Sequence, residues 1–122
     1  MKIEFKQKQT EQLPLDNLTI EQFLCLAIET SKQLGWDFGS ITEAGFIAYT
    51  KNGLFSWNAE VELKIKNGLA TLQSESRGNE IMDLRENKKH LQSFISTFNG
   101  LKKSLTPEEL ASIYENIKPN FV

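Results

Sequence analysis

Cysteine, histidine and aspartate are scarce in this 122-residue chain, and each shortage closes off a chemistry. The one cysteine, Cys25, excludes an internal disulfide framework and suits a reducing compartment. His90 is the sole histidine, so a Ser-His-Asp or Cys-His arrangement would have to be built on it. It stands beside Lys88 and Lys89, where no carboxylate orients the ring. A structural zinc site draws four ligands mainly from Cys and His, and only these two are present. The three aspartates, Asp16, Asp37 and Asp83, have no calcium-loop spacing, and no glycine-rich loop matches a phosphate-binding pattern. No apolar run is long enough to cross a bilayer, and MKIEFKQKQT lacks the apolar stretch of a secretory leader. A net charge of −2 gives no basic footprint for nucleic acid. The chain is therefore expected to be a cytoplasmic, non-catalytic protein without cofactor, metal or nucleic-acid partner.

What is present describes an ordinary globular domain spanning residues 1–122, 39% hydrophobic and 25% charged, with no internal repeat. Such a length buries roughly two-thirds of the unfolded surface and needs no covalent staple. Its centre is the stretch WNAEVELKIKNGLATLQSES, residues 57–76. Trp57, Ala59, Val61, Leu63 and Ile65 alternate with Asn58, Glu60, Glu62, Lys64 and Lys66, which predicts a strand with one dry and one wet face. Asn67-Gly68 predicts a two-residue type I′ turn, because that turn needs positive φ at both central residues. The register follows: Lys66 faces Leu69, Ile65 faces Ala70, Leu63 faces Leu72, Val61 faces Ser74 and Ala59 faces Ser76. Glu60 and Glu75 become neighbours on the wet face and read as a solvated pair rather than an acid/base dyad.

Around that hairpin, KIEFKQK (2–8) predicts an edge strand and Pro14 the connection that follows it. Thr19 and Gln22 form a capping box for a helix whose stripe is Ile20, Phe23, Leu24, Ala27, Ile28, Ser31 and Leu34, stopped by Gly35. Cys25 lies off that stripe and reads as an inert thiol. Trp36–Thr42 and Phe46–Lys51 form a second hairpin across Glu43-Ala44-Gly45. Trp36 and Phe38 face the core, but the inner face of the return strand is either Phe46, Ala48 and Thr50 or Ile47 and Tyr49. Leu54 and Phe55 belong to a loop, either as a lid on the sheet or as an exposed contact. Asp83 and Glu86 box the start of a second helix with the apolar face Leu91, Phe94, Ile95, Phe98 and Leu101. Leu105-Thr106-Pro107-Glu108-Glu109-Leu110 opens a short helix (105–119) with a capping box and a hydrophobic staple, ended by Pro119. The expected class is α+β: about five antiparallel strands in the order β-α-β-β-β-β-α-α, with the helices on one face.

The dry face of the central hairpin changes from aliphatic at the turn to small and hydroxylic near Trp57. Either Trp57 and a covering helix fill that end, or it is the mouth of a pocket. The candidate ligand-binding residues are accordingly Trp57, Ser74, Ser76, Trp36 and Phe55. Arg77 and Gly78 after Ser74-Glu75-Ser76 fit no phosphate-loop spacing and read as a polar strand end.

Gly35-Trp36, Gly45-Phe46-Ile47-Ala48-Tyr49-Thr50, Ser56-Trp57, Asn87-Lys88-Lys89 and the closing LTPEELASIYENIKP carry a resemblance over roughly residues 19–119. The chain resembles the soluble domain placed ahead of the membrane part in some bacterial rhomboid-family intramembrane protease-like proteins. Where that family pattern reads Asp-Trp-Gly-x-Asn, this chain has Asp83-Leu84-Arg85-Glu86-Asn87, so no role for that tryptophan carries over. Nor do the rhomboid catalytic serine and histidine, and protease activity is not implied. The resemblance implies an excised domain or free-standing relative, acting as a binding or regulatory module at the cytoplasmic face of a membrane protein. Its ligand would be an unknown protein or small molecule. A small-molecule or lipid carrier with a pocket near Trp57 is the alternative. The element order also resembles the half-domain of the TATA-binding-protein fold and helix-grip sheets, an analogy of fold alone.

Overall fold

Asn67 and Gly68 both take positive φ, 54° and 74°, and join β4 (Ala59–Lys66) to β5 (Leu69–Ser76) in a two-residue turn. The structure, a computed structural model, describes residues 8–50, 59–76 and 84–122. Pairing runs from Lys66↔Leu69 through Leu63↔Leu72 and Val61↔Ser74 to Ala59↔Ser76, the register expected from the turn. Ala59, Val61, Leu63, Ile65, Ala70 and Leu72 are buried, whereas Lys64 and Lys66 are exposed.

Three further strands complete an antiparallel sheet in the order β1-β5-β4-β3-β2. β3 (Gly45–Tyr49) continues from β2 (Asp37–Thr42) through the two residues Glu43-Ala44, so Gly45 belongs to the strand rather than to the turn. A Cβ on Gly45 would run into the Leu63 carbonyl, which explains a glycine inside a central strand. Phe46, Ala48 and Thr50 are the buried set, which settles the choice left open by the alternation. The β2–β3 register shifts between Phe38 and Ser40, and Tyr49 leans over the bulge: a Cβ on Gly39 would lie 2.8 Å from its ring.

β1 runs from Lys8 to Pro14 and lies at the sheet edge beside β5. The expected strand over 2–8 falls almost wholly outside the described residues, and the stretch expected as connection is itself strand. An edge position tolerates Pro14 at the strand's end, because one flank of the strand has no ladder to complete. Asp16, at φ 56°, turns the chain toward α1.

All three helices share one buried cluster with the inner face of the sheet. α1 (Ile20–Gln33) begins with the Thr19/Gln22 capping box, and Gly35 follows it with φ 78°. Cys25, Leu26 and Thr30 are as buried as the expected stripe, a correction to the one-faced reading of this helix. α1 meets both α2 (Leu84–Ser104) and α3 (Pro107–Ile117), so it is dry around most of its circumference. Ile20, expected inside, is 45% exposed in the first turn. Thr30 Oγ1 and Ser31 Oγ donate to the Leu26 and Ala27 carbonyls at 2.7 and 2.9 Å, which satisfies both buried hydroxyls.

On α2 the expected face holds: Leu91, Phe94 and Phe98 are buried, with Ile95 and Leu101 half-buried. Asp83 lies outside the described residues, as does the side chain of Glu86, so the expected cap is not described. Thr106 and Glu109 make the capping box of α3, with Leu105 and Leu110 packed on the core beside it. A 3₁₀ turn, Lys118–Asn120, follows, and the Val122 N–H donates to the Ile41 carbonyl of edge strand β2 at 3.0 Å.

Candidate functional site

The polar end of the inner sheet face is built on Ser74, which alternation turns inward and pairs with Val61 of β4. Its Oγ donates to Asn87 Oδ1 on α2 at 2.9 Å, and both residues are fully buried. Nearby in the sheet, Thr50 is buried and its Oγ1 accepts from the Ala59 N–H at 2.9 Å, while the Thr50 N–H donates to the Ala59 carbonyl. The hydroxylic gradient thus ends in a hydrogen-bonded set that pins α2 and β3 to the hairpin. Buried polar groups without partners are expensive, and these have them.

Of the five candidate ligand residues, two have described side chains. Ser74 is engaged as above. Trp36, half-buried just before β2, stacks on Phe94 at 5.9 Å between centroids and lies 6.4 Å from the ring of His90. Ser74 and Trp36 have different partners on α2, Asn87 for the first and His90 and Phe94 for the second. Phe55 and Trp57 lie outside the described residues, as does the side chain of Ser76, whose backbone closes β5 opposite Ala59.

The remaining reactive candidates are held structurally. Burial, and then the carboxylates of Glu29 and Glu21, push the Cys25 thiol up from 9.0 to about 11, so it carries its proton at neutral pH. His90 extends the aromatic ladder of Trp36, Phe94, Phe98 and Phe23 along α2 and α1. Among the described residues no group of three or more His, Cys, Asp or Glu is placed to share a metal ion.

The outer sheet face is a different kind of surface. The register orders it in rows across the strands: Glu75, Glu60, Tyr49 and Asp37 at one end; then Gln73, Glu62, Ile47 and Ser40; then Thr71, Lys64, Gly45 and Thr42. The described helices leave these rows uncovered, and every residue in them but the buried Gly45 is half-buried or exposed. Two open troughs run along β4. One of about 420 Å³ lies on the β5 side between Glu62, Lys64, Lys66, Thr71 and Gln73. The other, about 340 Å³, lies on the β3 side between Ile47, Ser40, Thr42 and the same β4 residues. Lys64 stands between them with its Nζ 3.6 Å from Glu62 Oε1.

Sequence reasoning missed Asn87 on the inner face and left Thr50 as one of two options for it. Asn87 carried a signal, because it precedes Leu91, Phe94 and Phe98 by four, seven and eleven residues and so occupies the apolar stripe of α2. No family model, curated protein or solved structure matches the chain. Among the described residues no helix is long and apolar enough to cross a membrane.

Proposed function

We propose that this domain is a non-catalytic binding module that works through its outer sheet face, as a cytoplasmic domain associated with a membrane protein. The observation that carries the reading is the asymmetry of the sheet: helices cover one face, and the other offers five strands of ordered polar rows with two open troughs. The inner candidates support it from the other side. Ser74 is occupied by Asn87, Trp36 by Phe94, and Cys25 is a buried, protonated thiol. The membrane association rests on the resemblance to domains that accompany rhomboid-like proteins.

Site-specific photo-crosslinking in cells tests this reading. A benzophenone amino acid at Ile47, on the outer face, should trap one defined protein, a second copy or another chain, that is recovered with the membrane fraction. The same probe at Lys103, on the exposed side of α2, should not. Equal trapping from both positions, or none from Ile47, would refute it, as would saturable turnover of a substrate by the purified domain.

A further inference from the structure

β4 is the third of five strands in the sheet, and its outward residues are Glu60, Glu62, Lys64 and Lys66. That order is antisymmetric in charge about Leu63. Consider a half-turn about an axis that lies in the plane of the outer face and crosses β4 at right angles, level with Leu63. It brings Glu62 opposite Lys64 of a second copy and Glu60 opposite Lys66 of that copy. The same operation acts on the flanking strands through the observed register. Next to the axis Gln73 meets Thr71, Thr10 meets Gln12 and Ser40 meets Thr42, amide or hydroxyl against amide or hydroxyl, while farther out Glu75 meets Leu69. Ile47 meets Gly45, where no side chain stands in its way.

We infer that the outer sheet face is a homodimerisation surface, on which two copies stack sheet to sheet with their β4 strands antiparallel. The inference rests on the reading of this face as the binding surface and names its partner. A two-fold interface must be complementary to itself, and the order of the β4 charges meets that demand, the Glu62–Lys64 contact within each copy being shared with the pair across the axis. A uniformly acidic or basic partner would face like charge over half of β4. Stacked sheets keep their strand directions within about 30° of each other, so twist displaces the outer strands more than the central one that carries the charge pairs. The troughs on either side of Lys64 leave room for the long side chains of the second copy.

The association has a definite strength class. Five strands about 4.8 Å apart, five to eight residues long at about 3.3 Å per residue, cover about 550 Å². Two copies then bury about 1,100 Å², in the range of weak, transient interfaces. The ion pairs pay part of their attraction back as dehydration. The dimer is therefore concentration-dependent and weakens with salt.

Sedimentation equilibrium of the full chain, from about 10 μM to about 1 mM protein, spans the range where such a contact is read out. The wild type should reach twice its monomer mass at low salt and fall back at about 0.5 M salt, where the Debye length is only a few ångströms. Lys64→Glu/Lys66→Glu makes β4 uniformly acidic, and Glu60→Lys/Glu62→Lys makes it uniformly basic. Each should weaken self-association at least about tenfold, and an equimolar mixture of the two should associate again. Exchanging all four charges together keeps the antisymmetry and should dimerise like the wild type, which separates loss of complementarity from loss of folding. A monomeric wild type at low salt, variants that dimerise unchanged, or a mixture that stays monomeric would each overturn the inference. If the wild type is monomeric while the Ile47 probe still traps a membrane-fraction protein, the second-copy partner falls and the binding reading stands.

Discussion

Ser74 and Asn87 hold each other out of water, with Ser74 Oγ donating to Asn87 Oδ1 at 2.9 Å across the interface between β5 and α2. Removing one member takes a hydrogen bond from the other in a buried setting, which carries a penalty of about 1–3 kcal/mol. Ser74→Ala should therefore destabilise by that amount, although it deletes a single oxygen. Urea denaturation of Ser74→Ala, Asn87→Ala and the double variant measures the coupling, expected at or above about 0.5 kcal/mol. Additive losses would mean the two residues act independently.

Leu63 and Glu62 are adjacent on β4 and live in different solvents. Leu63 is 1% exposed between Phe46 and Leu72 in the pairing, while Glu62 points to the outer face. Leu63→Ala should cost about 2–5 kcal/mol through lost transfer energy and a cavity. Glu62→Ala should stay below about 1 kcal/mol in the dilute monomer, as surface changes do. Against a total of about 5–15 kcal/mol, the first unfolds a large fraction of molecules and the second does not. Equal losses would contradict the register.

What could be read in advance follows how one-sided each element is. β4 is dry on one face and charged on the other, and Asn67-Gly68 has few conformational options, so strand, turn and register were all legible. The boxes at Thr19/Gln22 and Thr106/Glu109 were legible because they are local, three residues apart. β1 was not. Gln9 and Glu11 share the inward parity with Leu13, and an edge strand needs little hydrophobicity to stay paired. β3 was ambiguous because both of its faces carry apolar side chains, and Leu63 approaching Gly45 is a long-range fact. Cys25 was misplaced for the same kind of reason: a stripe reports one neighbour, and α1 has several. The Ser74–Asn87 bond joins residues 13 apart on different elements, which no local pattern encodes. The self-complementary charge order of β4 was in plain view, but it acquires meaning only once β4 is the central strand of a face that the described helices leave open.

Cys25 sets an alkaline limit on stability. Its thiol is raised by burial and by Glu29 and Glu21 to about 11, above its ordinary value of 9.0. A raised folded-state value means that the native chain holds the proton more tightly than the unfolded chain does. This contribution is complete below pH 9 and is lost as pH climbs toward 11. Cys25→Ala should flatten that limb of the stability curve while lowering stability at neutral pH through the small void it leaves. Iodoacetamide at pH 8 should leave native Cys25 unmodified and alkylate it readily in urea. Rapid labelling of the folded protein would show that the thiol is neither buried nor protonated.

Two glycines should respond to alanine in opposite directions, because one is needed for its backbone and the other is not. Gly68 sits at φ 74° with nothing within 4 Å of a built Cβ, so strain alone opposes substitution. Forcing an L-residue into the left-handed region costs about 1–2 kcal/mol, and Gly68→Ala should destabilise by that much. Gly100 lies inside α2, exposed, likewise with open space around a Cβ and without a positive φ. There glycine is a liability of roughly 0.5–1 kcal/mol relative to alanine, because the unfolded chain loses more freedom on entering the helix. Gly100→Ala should raise the urea midpoint while Gly68→Ala lowers it. A neutral Gly68→Ala would remove the type I′ turn on which the β4–β5 register depends, and with it the alignment of Glu60, Glu62, Lys64 and Lys66 on one face.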